Sequence, residues 1–165
     1  MSQWTHVNGN VRFDYLPISV DDEGEFERGI KQVFGETIDY EHVGLFGKLH
    51  ENCPISPIPC GSEGSIEYQI YRAPRGYNVG IWGDLRDFGN DEVQEIFDWF
   101  KSIMNYKFNG PHFVRDATLF IDIEDGDDII LLHDYDNEDK FRMVVLPVNT
   151  ALTPHPVSEN EEKTQ

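Results

Sequence analysis

The sequence predicts an α+β fold, an antiparallel sheet with two helices on one face. Three observations point there. Several short stretches alternate apolar and polar residues, the period of a half-buried strand. Two longer stretches repeat apolar residues at helical spacing. The two patterns follow one another as β-α-β-β-α-β-β-β within 165 residues, a length that suits one domain.

The first strand is read at Trp4 to Tyr15, where Val11, Phe13 and Tyr15 alternate with Arg12 and Asp14. Asn8-Gly9-Asn10 interrupts the pattern and marks a bulge or an early turn. A helix follows from Asp22 to Phe34, with Phe26, Ile30, Val33 and Phe34 on one face and Gly35 at its C-terminal cap. Residues Glu36 to Gly64 are rich in Gly and Pro and read as a long loop, of a kind that is often functional. Ser65 to Arg72 and Tyr77 to Leu85 form a hairpin around Ala73-Pro74-Arg75-Gly76.

The second helix is capped by Asn90 and buries Val93, Ile96, Phe97, Phe100 and Met104, flanked by Trp99 and Ile103; Asn109-Gly110-Pro111 stops it. Val114 to Glu124, the turn Asp125-Gly126, Asp128 to His133 and finally Phe141 to Val148 supply the last strands. The first six elements spell the βαββαβ order of a ferredoxin-like core, and two C-terminal strands are added to it. Residues 1–148 are expected to form the single domain and 149–165 a disordered tail.

Charge narrows the function classes. There are 31 acidic and 13 basic residues, a formal charge of -18. Such a chain repels nucleic acid and anionic membranes, and it attracts basic proteins. Aromatics at 13% argue for a packed core rather than an acidic disordered chain. The N-terminus has no signal-peptide pattern, and no apolar run spans a membrane. Cys53 and Cys60 are too few for a disulfide framework and fit a reducing cytoplasm.

Ten carboxylates fall between Asp116 and Asp139 with no Lys or Arg among them: Asp116, Asp122, Glu124, Asp125, Asp127, Asp128, Asp134, Asp136, Glu138 and Asp139. Like charges this dense are costly unless a cation or basic partner neutralises them. They are the candidate partner-binding residues, a face that imitates nucleic-acid phosphates. A metal reading is weaker. The EF-hand pattern fails, because taking Gly126 as the sixth loop position puts Ile121 at the first. His42, His50, Cys53 and Cys60 lack the spacing of a structural zinc site. No cofactor motif and no catalytic motif occurs, so a binding protein is expected rather than an enzyme. Gly126-Asp127-Asp128 resembles the catalytic hairpin of polymerase palm domains, but the chain has no room for the rest of such an enzyme.

A second set, Arg72, Arg75, Arg86 and Trp82, comprises candidate ligand-binding residues. With the loop Glu36 to Gly64 they would frame a pocket for a nucleotide signal, as a sponge or small enzyme. A third reading is a structural or assembly component that forms homo-oligomers.

Three stretches carry a resemblance: Trp4-Thr5-His6-Val7-Asn8-Gly9, Gly61-Ser62-Glu63-Gly64-Ser65, and Ile81-Trp82-Gly83-Asp84-Leu85-Arg86-Asp87. Together they are similar to small accessory proteins of tailed bacteriophages, a family of unknown function, over about residues 4 to 124. The resemblance implies a phage protein living in the host cytoplasm. By analogy it implies an inhibitor of host defence, such as an anti-CRISPR or DNA-mimic protein, acting on a nuclease or CRISPR effector.

Overall fold

A computed structural model describes residues 2–15, 25–35, 58–107 and 112–147. Eight elements occur in the expected order: β1 (Trp4–Tyr15), α1 (Glu25–Phe34), β2 (Ile66–Ala73), β3 (Gly76–Arg86), α2 (Val93–Met104), β4 (His112–Ile123), β5 (Asp128–His133) and β6 (Phe141–Leu146). The six strands form one sheet in the order β2-β3-β1-β4-β5-β6. Every neighbouring pair is antiparallel. The protein is therefore α+β, and β1 lies inside the sheet with a partner on each side.

Side chains on successive strand residues point to opposite faces. On β1 the odd positions Thr5, Val7, Val11 and Phe13 are buried, while His6, Asn8, Asn10 and Arg12 are exposed. The register carries this parity across the sheet. Val7 faces Gly83 and Ile121, and Val11 faces Val79 and Ala117. One face is thus apolar from β2 to β5, as the alternation predicts.

Both helices pack on that face. Phe26 of α1 meets Phe13 and Tyr77, with ring centroids 5.6 and 4.9 Å away. Phe34 lies 5.0 Å from Tyr68 and 5.8 Å, edge to face, from Trp99 of α2. Such pairs add to the gain from area burial. The buried Trp99 Nε1–H donates to the Phe34 carbonyl at 2.7 Å, joining the two helices. Phe100 packs on Phe141 at 5.3 Å and extends the core to β6.

Several details differ from the sequence pattern. Asn8-Gly9-Asn10 does not break β1, which pairs continuously through Gly9 on both sides. The irregularity lies between Arg12 and Phe13, where β4 carries an extra residue. Gly9 is instead a point of close approach: a Cβ there would overlap the Thr118 carbonyl and lie 2.8 Å from Leu119 Cδ1. Asn90 does not cap α2. Glu92 holds the N-cap position, and its carboxylate accepts a hydrogen bond from Gly89 N at 2.9 Å. Trp99 is fully part of the α2 core face, whereas Phe97 is half-buried. β4 begins at His112, two residues before the expected start.

The N-terminal end of the first predicted helix, residues 36–57 of the long loop (with His42, His50 and Cys53), the Asn109-Gly110-Pro111 stop and the tail 149–165 lie outside the described residues. The end of that loop is described. Ile58 is buried in the core, and Cys60 bridges Ser65.

Substituting Gly9 with Ala should destabilise the domain by about 1–3 kcal/mol, because backbone rather than a flexible side chain occupies the space. Chemical denaturation of the purified variant measures this. Unchanged stability would mean that β1 and β4 are not packed as described.

Candidate functional site

The pairing register defines two ends of the sheet. At one end β1 begins, β3 and β4 finish, and β5 begins. Trp4 pairs with Arg86 there, and Thr5 with Ile123. At the other end Asp14 pairs with Gly76, and the β5–β6 turn lies nearby.

The face turned away from the helices is open. At the first end it carries a row of polar residues on adjacent strands: Asp84 on β3, His6 on β1 and Asp122 on β4. His6 Nδ1 lies 2.6 Å from Asp84 Oδ1, both side chains being more than half exposed. Asp128, just before Ile129 on β5, falls opposite Asp122 because Ile129 pairs with Ile121, and it continues the row. Neighbouring strands lie about 4.8 Å apart, so the row presents three carboxylates over roughly 14 Å.

The ten carboxylates singled out in the sequence do not form one cluster. Asp122, Glu124, Asp125, Asp127 and Asp128 gather at the first end, around the β4–β5 turn. Glu124 is fixed there: its carboxylate accepts from Trp4 N at 3.0 Å, and its carbonyl accepts from Gln3 Nε2 at 2.7 Å. Asp134, Asp136, Glu138 and Asp139 lie beyond the other end of β5, in the turn to β6. Asp134 Oδ1 accepts from Asp136 N at 3.0 Å, and Asp139 pairs with Lys101 at 2.5 Å. Asp116 faces Arg12 across β1 and β4.

Sequence reasoning missed Asp84, Asp87, Glu63 and His6, which join the first group. The signal was present, since the even positions of β1 and β3 share the open face with Asp122. What was lacking was the strand order that makes them neighbours. Arg86 is the one Arg or Lys carried by the strands and described turns of this end, and Glu63 neutralises it at 2.6 Å.

The three stretches that carry the sequence resemblance meet here. Ser62 N donates to the Arg86 carbonyl at 2.8 Å, and Arg86 N to the Glu63 carbonyl at 2.9 Å. Ser62 Oγ donates to Asp87 at 2.5 Å, and Thr5 Oγ1 to the Phe88 carbonyl. Gly64 has φ 75, a left-handed conformation, and its bare Cα lies against the Asp84 carbonyl. The glycines in the Gly61–Ser65 stretch therefore let it wrap closely around the end of β3.

The candidate ligand residues are not brought together. Arg72 and Arg75 lie at the β2–β3 turn, whereas Arg86 ends β3, roughly 30 Å along the strand. Trp82 is on the open face, 41% exposed, and donates Nε1–H to Glu67 at 3.1 Å. With Tyr71 it covers Gly80; Tyr68 and Tyr77 lie on the helix side instead. At this second end Asp14 is buried, and it accepts from Arg12 and Arg115 at 2.9 Å each.

Among the described residues, no group of three His, Cys, Asp or Glu is placed to hold a metal ion. Burial, and next the charge of Glu95, raises the Cys60 thiol pKa, which opposes thiolate chemistry. No described helix is long and apolar enough to cross a membrane. Fold and site together define an α+β protein with one helix-covered sheet face and one open face whose end is acidic. Comparisons with protein-family models, curated proteins and solved structures find no match.

Two carboxylates titrate in opposite senses. For Asp128, burial, the Asp122 charge and the shared hydrogen bond raise the pKa above 3.8. Its protonated form suits the fold, so stability from this group is lost as pH rises through the raised value. For Asp14, burial alone would raise the pKa, but hydrogen bonds and attraction from Arg12 and Arg115 outweigh it and lower it below 3.8. Its stabilisation is present above that value and lost as pH falls through the depressed one. Asp128→Asn should therefore raise Tm at pH 7 by about 1–3 °C, and the gain should vanish in acid. Asp14→Asn should cost about 1–2 kcal/mol at pH 7, a loss that shrinks in acid. Thermal melts across pH check both signs.

Proposed function

We propose that the acidic end of the open face binds a basic protein surface, and that the protein is a phage-encoded inhibitor of a host nuclease, CRISPR effector or similar nucleic-acid-processing enzyme in the host cytoplasm. The observation that carries this reading is the convergence of the three resemblance stretches on the end where Glu63, Asp84, Asp87, Asp122, Glu124, Asp125, Asp127 and Asp128 collect. Among the described residues, the one strand-borne guanidinium of that end is already paired. A surface of one sign attracts and steers a partner of the other, and it competes with nucleic acid for the same basic cleft. Catalysis has less support, since among the described residues the pairs that join an imidazole or hydroxyl to a carboxylate at this end, His6–Asp84 and Ser62–Asp87, are both solvent-exposed.

The finer fold assignment belongs to the same proposal. The run β2-β3-β1-β4, with its two intervening helices, supports a ferredoxin-like core. The complete strand order differs from a four-stranded sheet of that kind by β5 and β6, which continue it beyond β4.

The test compares the wild type with an Asp122→Asn, Asp127→Asn, Asp128→Asn variant, each immobilised and exposed to bacterial lysate at about 0.1 and 0.5 M salt, where screening lengths are roughly 10 and 4 Å. The expected result is a basic enzyme retained by wild type at low salt, shed at high salt, and at least 10-fold depleted on the variant. Equal retention by a normally folded variant would overturn the reading.

A further inference from the structure

An edge strand offers unpaired backbone N–H and C=O groups, and proteins usually guard it with charge, proline or a bulge. β2 and β6 are the two edges of this sheet. β6 is weakly guarded. Its sequence FRMVVL holds one charged residue, Arg142, although the chain as a whole carries -18, and no acid occurs between Asp139 and Glu159. Beyond the buried Phe141, it bears exposed apolar side chains on both faces. Met143 and Val145, on the helix side, are 46% and 47% exposed; Leu146, on the open side, is 43% exposed.

We propose that β6 pairs antiparallel with β6 of a second copy of this chain, across a two-fold axis perpendicular to the sheet. Such an axis keeps the helix-covered faces of both copies on the same side, so residues of like face must oppose each other. With Val144 on the axis, Met143 opposes Val145 of the second copy, and Arg142 opposes its Leu146. The helix side then gains the contact Met143–Val145 twice. The open side gains a continuous apolar row, because Ile130 pairs with Val144, and Phe120 pairs with Ile130, in each copy.

Charge matches as well. Leu146 pairs with Asp128 on β5. Arg142 of the second copy therefore falls in the same cross-strand row as Asp128 and Asp122, two strand spacings, or about 10 Å, from Asp128. An extended arginine can cover much of that gap and offset the crowding of the two carboxylates. The acid-free edge is also where two strongly acidic chains meet with least repulsion.

Light scattering and sedimentation over a concentration series test this on the full chain without any partner, so the result is independent of the host-binding proposal. The expected species is a dimer. Val145→Lys, at an exposed position that leaves the fold intact, should weaken it by about 100-fold. Arg142→Glu should weaken it by about 10-fold. Adding Asp128→Arg to Arg142→Glu should recover most of that loss, which only this register explains. A monomer at every concentration overturns the proposal and leaves β6 to another segment of the chain or to a foreign strand. A dimer indifferent to Val145→Lys, or one that the charge swap fails to restore, also overturns it.

Discussion

The pairing of β1 on both sides is the constraint on which everything else depends. It aligns with β3 from Trp4 to Asp14 and with β4 from Thr5 to Tyr15. Because strand side chains alternate, this one alignment decides which residues of three strands share a face. Odd residues of β1 go under the helices with Phe26, Phe34 and Trp99. Even residues go to the open face, and His6 is thereby set between Asp84 and Asp122. A slip of one residue would send Phe13 into solvent and the carboxylates into the core. The hydrophobic cost of that slip keeps the acidic row in place.

The acidic row itself does not stabilise the fold. Burial and then the neighbouring charge of Asp122 raise the pKa of Asp128. Elsewhere the chain resolves such crowding with nearby cations: Arg12 and Arg115 around Asp14, Lys101 beside Asp139. Among the described residues of the β4–β5 end, Arg86 is the strand-borne cation, and it already has Glu63 as its carboxylate partner. Charge left uncompensated in the free protein is available to a basic partner, and this links the electrostatics to the proposed binding.

Much of this architecture was legible in the sequence, since β strands and amphipathic helices announce themselves by period. The faces of β1, β3 and β4 followed from alternation around Phe13, Val79 and Leu119, and Gly35 appears at the end of α1 with φ 90. What local pattern cannot give is which strands become neighbours. The acidic block read as one unit because its ten carboxylates are close in sequence. β5 carries Asp134 to Asp139 away from Asp122 and Asp128, while His6 and Asp84, distant in sequence, move in. Arg72 and Arg75 are parted from Arg86 by the length of β3 itself. Asn90 as a cap and Asn8-Gly9-Asn10 as a turn were reasonable local readings that the longer-range pairing overrode. Gly89 met the carboxylate of Glu92, and Gly9 met Thr118 on β4.

The central claim is that the acidic end of the open face is the surface that recognises basic protein. Its most direct test is an NMR titration of the isotope-labelled protein with a short Lys/Arg-rich peptide, following every backbone amide. The expected result is a set of shifts confined to His6, Asp84, Asp122, Asp128 and the Glu124–Asp127 turn, and abolished by salt. Shifts concentrated in the Asp134–Asp139 turn, or spread evenly over the acidic surface, would contradict it.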